Sequence, residues 1–83
     1  MPIIARSAGQ IGRLIQQHRQ AQSLSQTELG NLAGHRQEMI SKIETGQGGV
    51  KLATVFDVLA ALGLELTVQP RSQSASTDIA DIF

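Results

Sequence analysis

The run 24-LSQTELGNLAGHRQEMISKIETG-46 decides how this chain folds. Ser25 and Glu28 have the S-x-x-E spacing of a capping box, in which each side chain accepts from the other residue's otherwise unpaired backbone N–H. Leu24 before the cap and Leu29 just inside the helix have the spacing of a hydrophobic staple. Leu29, Leu32 and Ala33 fall on one helical face. Gly34 ends that helix, because only glycine takes a left-handed terminal conformation at little cost. A second amphipathic segment buries Ile40 and Ile43 and ends at Gly46. Two short helices joined by a tight glycine-containing turn make a helix-turn-helix.

On the N-terminal side, Ser7 opens a helix, with Gln10 three residues on as its capping partner. Ala8, Ile11, Leu14, Ile15 and His18 give that helix an apolar face. His18 reads as a packing residue, because no second His, Cys or carboxylate is placed beside it. His35, in the turn, reads as solvent-exposed. Residues 1–6 are either a disordered arm or a short strand. On the C-terminal side, 45-TGQGG-49 is a loop. It is not a nucleotide cradle, since no strand precedes it and the Walker Lys-Ser/Thr pair is missing. Leu52, Val55, Phe56, Leu59 and Leu62 then recur at helical spacing, and Gly63 ends a fourth helix over residues 52–62 that closes the bundle. Its N-terminus lacks a good cap.

After Gly63 the period changes. The run 64-LELTVQ-69 alternates apolar and polar residues, and Pro70 ends it. This pattern predicts a short half-buried strand. A lone strand leaves its ladder groups unpaired, and the cheapest partner is the same strand of a second copy, with Leu64, Leu66 and Val68 over the joined bundles. A core of this size is also marginal for a monomer. The expected architecture is an all-α bundle of about four helices with a short C-terminal strand paired across a homodimer. Residues 1–69 form the folded domain, and 70–83 a flexible tail. The tail begins with the polar 70-PRSQSAST-77, too poor in apolar residues to fold alone. It closes with Ile79, Ile82 and Phe83, either a frayed terminus or a short partner-binding peptide.

Composition narrows the function. The chain has no cysteine, hence no disulfide framework or thiolate metal site. Carboxylates are scattered and no Ser/His/Asp or metal-ligand set stands out, which argues against an enzyme and for no cofactor and no metal. No signal peptide and no run of membrane-spanning length is present, so a cytoplasmic protein with no membrane contact is expected. Formal net charge is zero, but it is unevenly spread. Residues 1–51 hold Arg6, Arg13, Arg19, Arg36, Lys42 and Lys51 against Glu28, Glu38 and Glu44, a balance of +3. Residues 52–83 hold Arg71 against Asp57, Glu65, Asp78 and Asp81, a balance of −3. Either one surface suits phosphate and another a different partner, or the surface is an ordinary mixed one.

The pattern Ser25-Gln26-x-Glu28-Leu29, Ala33-Gly34, Ile40-Ser41-x-Ile43-Glu44-x-Gly46 resembles the Cro/phage-repressor-like (XRE) DNA-binding family, closely over the second and third helices and more loosely over residues 7–63. A strand after the fourth helix, where phage repressor domains usually have a fifth helix, looks like the HipB antitoxins within that family. The resemblance implies that helix three, residues 37–45, is the recognition helix and enters the major groove. With Ile40 and Ile43 inward, Gln37, Glu38, Ser41 and Lys42 face out. Gln can bridge adenine N6 and N7, and Lys can donate to guanine O6 and N7. Ser41 can reach a base edge or a phosphate. Glu38 either accepts from cytosine N4 or only stabilises the positive end of the helix dipole. Met39 is tucked against the domain.

The same resemblance places Gln26 where the family contacts phosphate and orients a neighbouring glutamine. Arg36 replaces the usual Ser/Thr at the start of the recognition helix, weakening the cap but adding a cation for phosphate. Gln47 in the glycine loop and Lys51 after it are further phosphate contacts. Arg19 and Glu44 match an ion pair that in the family holds the recognition helix against helix one; the alternative is that each faces water. HipB antitoxins dimerise through such a strand, bind operator DNA, bind the HipA kinase toxin and end in an aromatic-tipped tail. The expected function is therefore an antitoxin that binds an inverted repeat of double-stranded operator DNA as a homodimer, represses its own toxin–antitoxin operon, and binds a HipA-like kinase toxin. The alternative is a stand-alone XRE-family repressor of a phage or stress gene without a toxin partner.

Overall fold

The computed structural model describes residues 4–71, which contain four helices: α1 (Ala8–Ala21), α2 (Gln26–Ala33), α3 (Gln37–Glu44) and α4 (Leu52–Ala61). Local chemistry accounts for half of their ends. The Ser7 hydroxyl accepts from the Gln10 N–H at 3.2 Å and caps α1. The Gln10 carboxamide reaches past the cap to the Arg6 N–H, so the expected reciprocal box is displaced by one residue. At α2 both halves form: the Glu28 N–H donates to Ser25 Oγ at 3.0 Å, and the Ser25 N–H to Glu28 Oε1 at 2.8 Å. Gly34 follows at φ 78°. Arg36 and Lys51 provide no side-chain cap for α3 and α4. At the far end of α3 the Thr45 hydroxyl donates to the carbonyls of Ser41 and Lys42 at 3.0 and 3.1 Å.

Ile15, Leu29, Ile40 and Val58, one from each helix, are completely buried, with Ile43, Leu59 and Leu62 around them. The third helix packs on both α1 and α2, and α4 packs on α2. Where α1 passes α3, Gly12 lies directly against the backbone of Ile43 and Glu44.

Three expected core residues lie outside. Leu52 is 63% exposed and Phe56 47%, while Thr54 and Val58 of α4 are buried. The sequence of α4, LATVFDVLAA, is apolar around most of its circumference, so periodicity does not choose the inward face. Packing on α2 chooses Thr54, Val58 and Leu62, spaced four residues apart on one side of a helix. Leu32 is 63% exposed. It lies about 100° around α2 from Ala33, and the bundle takes the Ala33 side, which packs against the core. Met39 and Leu24 pack against the core as well.

His35 is not free in solvent. Its Nε2 lies 2.9 Å from Asp57 Oδ2, tying the α2–α3 turn to α4.

Residues 64–71 have no regular secondary structure in the single chain. Leu64 is anchored, with its N–H donating to the Leu59 carbonyl at 2.8 Å and its side chain against the core. Leu66 and Val68 are exposed. The expected strand is thus absent from the fold of one chain, and the described residues supply no second strand to complete its ladder. This segment and residues 4–6 flank an open groove of about 660 Å³, lined also by Ile11, Leu14, Ile15, His18 and Leu59. The tail residues Ile79, Ile82 and Phe83 lie outside the described residues.

Candidate nucleic-acid interface

An ion pair ties α1 to the end of α3. Arg19 Nε lies 2.6 Å from Glu44 Oε2, and Arg19 Nη2 lies 3.1 Å from Glu44 Oε1, a bidentate contact. The remaining guanidinium nitrogen, Nη1, donates to the Leu24 carbonyl at 2.8 Å, just before the α2 cap. The Glu44 side chain is 2% exposed and that of Arg19 11%. A bidentate pair so withdrawn from water fixes orientation as well as distance.

The pair extends outward along amides. Gln26, the first residue of α2, donates from Nε2 to Glu44 Oε1 at 3.0 Å. Gln37, the first residue of α3, donates from Nε2 to Gln26 Oε1 at 2.5 Å. Four residues from three helices thus make one hydrogen-bonded line, Arg19 to Glu44 to Gln26 to Gln37. The family resemblance pairs Arg19 with Glu44 and has Gln26 orient a neighbouring glutamine, but it does not join Gln26 to Glu44. The residues are 18 apart, and no short-range pattern joins them.

The other candidate residues sit around this line. Ser41 and Lys42 of α3 are half-buried and Glu38 is exposed in the first turn. Arg36 is exposed at the N-cap of α3, Lys51 at the N-cap of α4, and Gln47 in the loop between them. The Gln47 N–H donates to the Lys42 carbonyl at 3.2 Å, which ties the start of that loop to the end of α3. At the α2 cap, the Ser25 backbone N–H, and secondly the Ser25 side chain, hold the Glu28 carboxyl below the ordinary glutamate range. The α3 start combines backbone N–H groups that have no side-chain cap with the Arg36 cation beside them. Among the described residues, no three His, Cys, Asp or Glu gather to hold a metal, and no helix is long and apolar enough to cross a membrane.

The chain is similar to known proteins in sequence and fold. The helix-turn-helix family profile matches residues 15–69. An HTH-type transcriptional regulator of Haemophilus influenzae is 42% identical over 52 residues, 63% of this chain; the match spans 53% of the relative's own length. Among solved structures, a chain in the HipA–HipB–O2–O3 complex superposes with a TM-score of 0.79 at 27% identity, covering 86% of this chain and 100% of that one. A chain of the HipB–O4 20mer complex gives the same values. The restriction-modification controller protein from Aeromonas hydrophila superposes with a TM-score of 0.64 at 29% identity, over 70% of this chain and 84% of that one. With its capped α2, its glycine turn and its α3 pinned to α1, the chain belongs to the helix-turn-helix family of DNA-binding transcriptional regulators, of XRE type and HipB-like in structure.

Proposed function

We propose that this protein is the antitoxin of a toxin–antitoxin pair. It binds an inverted repeat in its own operator as a homodimer, represses that operon, and joins a HipA-like kinase toxin. The observation that carries this reading is the extent of the likeness to HipB chains. It covers 86% of this chain, more than the helix-turn-helix itself, and those chains come from a HipA–HipB–O2–O3 complex and a HipB–O4 20mer complex.

Gln37, Ser41 and Lys42 face base edges in this reading, with Glu38 at the margin, and Gln26, Arg36, Gln47 and Lys51 take phosphates. The dimer forms through residues 64–69. Leu66 and Val68 are exposed beside an open apolar groove, and a second copy of the segment would cover that surface and complete the ladder. Residues 1–69 are the DNA-binding and dimerisation unit, and 70–83 are the partner-binding tail, through Ile79, Ile82 and Phe83. A location in the cytoplasm, where the operator and a kinase are both accessible, follows from this reading.

The likeness to a restriction-modification controller protein supports a second reading, a stand-alone regulator without a toxin. Calorimetric titration of a HipA-like kinase with the full chain and with a chain lacking residues 72–83 separates the two. An antitoxin binds the kinase and binds it less tightly without the tail, while both forms keep the operator. A regulator without a toxin shows no heat with either form.

A further inference from the structure

The line of hydrogen bonds running from Arg19 to Gln37 has a direction, and the direction originates at Glu44. A carboxylate only accepts and a guanidinium only donates. Glu44 takes Arg19 on both oxygens, so the next group that meets Oε1 must donate. Gln26 therefore turns its NH2 toward Glu44, as observed at 3.0 Å. Its carbonyl oxygen is then left facing Gln37, which must in turn present an N–H, as observed at 2.5 Å. A carboxamide ordinarily flips between two nearly isosteric states. Here each flip is decided by the one before it, back to a carboxylate that cannot flip.

We propose that Glu44 is a specificity-determining residue: it sets the sense in which Gln37 presents its amide to DNA, and so selects adenine over guanine. With one N–H spent on Gln26, Gln37 keeps one N–H and its carbonyl oxygen. Adenine offers the complement in the major groove, the N7 acceptor and the N6 amino donor, whereas guanine offers two acceptors, N7 and O6. Glu44 never touches the base. It is a positioning residue whose effect passes through Gln26, and the inference rests on Gln37 facing a base edge.

The inference yields an inversion. In Glu44→Gln the amide oxygen keeps the shorter contact, with Arg19 Nε at 2.6 Å, and gives up the one with Nη2 at 3.1 Å, so that the NH2 takes the place of Oε1 and faces Gln26. Gln26 then turns over and donates to the Gln37 carbonyl, and Gln37 presents both N–H groups outward, the complement of guanine. Gln26→Met cuts the line and leaves the Arg19–Glu44 pair intact, so it tests the same idea where Glu44→Gln fails to fold.

The experiment uses the full-length chain and a duplex recovered by selection from a randomised inverted-repeat library. Every single-base variant of that duplex is titrated with wild type, Gln37→Ala, Gln26→Met and Glu44→Gln. The position whose discrimination disappears in Gln37→Ala is the one Gln37 reads. There, the wild type is expected to prefer adenine to guanine by roughly ten- to hundredfold. Gln26→Met reduces that ratio to within a few-fold of unity, and Glu44→Gln turns it toward guanine. A loss of affinity that is equal on all duplexes is what a merely structural role produces, and it overturns the proposal. So does a Gln26→Met protein that keeps the wild-type ratio while Gln37→Ala loses it; in that case base contact by Gln37 stands and the relay falls. If Gln37→Ala keeps discrimination at every position, base contact by Gln37 falls, and the relay with it.

Discussion

Gly12 of α1 and Ile43 of α3 approach so closely that a Cβ built on Gly12 would stand 2.2 Å from the Ile43 carbonyl oxygen, and 2.8 Å from that of Glu44. Both neighbours are backbone and neither can turn aside. The absent side chain at position 12 is what lets α1 lie on α3 at the depth where Arg19 reaches Glu44.

Gly12→Ala should therefore destabilise the domain, although alanine is the better helix former by about 1 kcal/mol. Overpacking of a fixed contact costs about 1–3 kcal/mol, so a net loss is expected. Gly9, one turn earlier, is the control. A Cβ there meets only Ser7 Oγ at 3.9 Å, and Gly9→Ala should stabilise by about 0.4–1 kcal/mol. Urea unfolding followed by circular dichroism reads both. Equal shifts in one direction would mean that the α1–α3 contact is looser than this geometry.

Arg19→Met leaves the Glu44 carboxylate, 2% exposed, without its countercharge. The expected cost is about 3–5 kcal/mol, because a buried charge without its partner keeps its full desolvation penalty. Replacing both residues, Arg19→Met with Glu44→Leu, should recover a large part of the loss. A double-mutant cycle in thermal unfolding checks the coupling; additive effects would show that the two residues act separately.

The Glu28 carboxyl titrates below its ordinary value in the folded state because the Ser25 backbone N–H, chiefly, and the Ser25 side chain hold its charged form. The folded state thus binds the proton less readily than the unfolded chain. The stabilisation is complete above the unfolded value of about 4.3 and is lost as the pH falls through the lowered folded one. Wild type should exceed Glu28→Gln in unfolding midpoint near neutral pH, and the gap should close on acidification through the lowered folded value. A gap that is constant between neutral and acidic pH would remove the charge from the account of this cap.

Leu66→Pro removes a ladder donor from the 64–69 segment and forces its φ. Residues 64–71 lie outside all four helices, so the helical content should remain while sedimentation shifts from dimer to monomer and two-half-site DNA binding loses its cooperativity. A variant that stays dimeric would move the interface, with the exposed Leu52 and Phe56 of α4 as the next surface to alter.

Much of this fold was legible before any coordinates. The capping box at Ser25 and Glu28, the stops at Gly34 and Gly46, and the inward Ile40 and Ile43 all follow from interactions within a turn or two of helix. Such interactions are made wherever the segment goes, so the residues alone establish two short helices and the turn between them. The meeting of Arg19 with Glu44 was reached by family resemblance, since 25 residues separate them and no local pattern joins them.

The sequence by itself determined where helices begin and end, that the chain carries a helix-turn-helix, and that its charge is divided between two halves. Only the tertiary structure decided which side of α4 faces inward, because a helix apolar nearly all round has no preferred face until α2 selects Thr54, Val58 and Leu62. Tertiary structure also brought His35 onto Asp57, gave Gly12 its reason, and placed Glu44 against Gln26. The physical reason is range. Caps and periods are properties of a few neighbouring residues, whereas a close approach, a buried ion pair or the direction of an amide depends on which distant surface the packed bundle happens to supply.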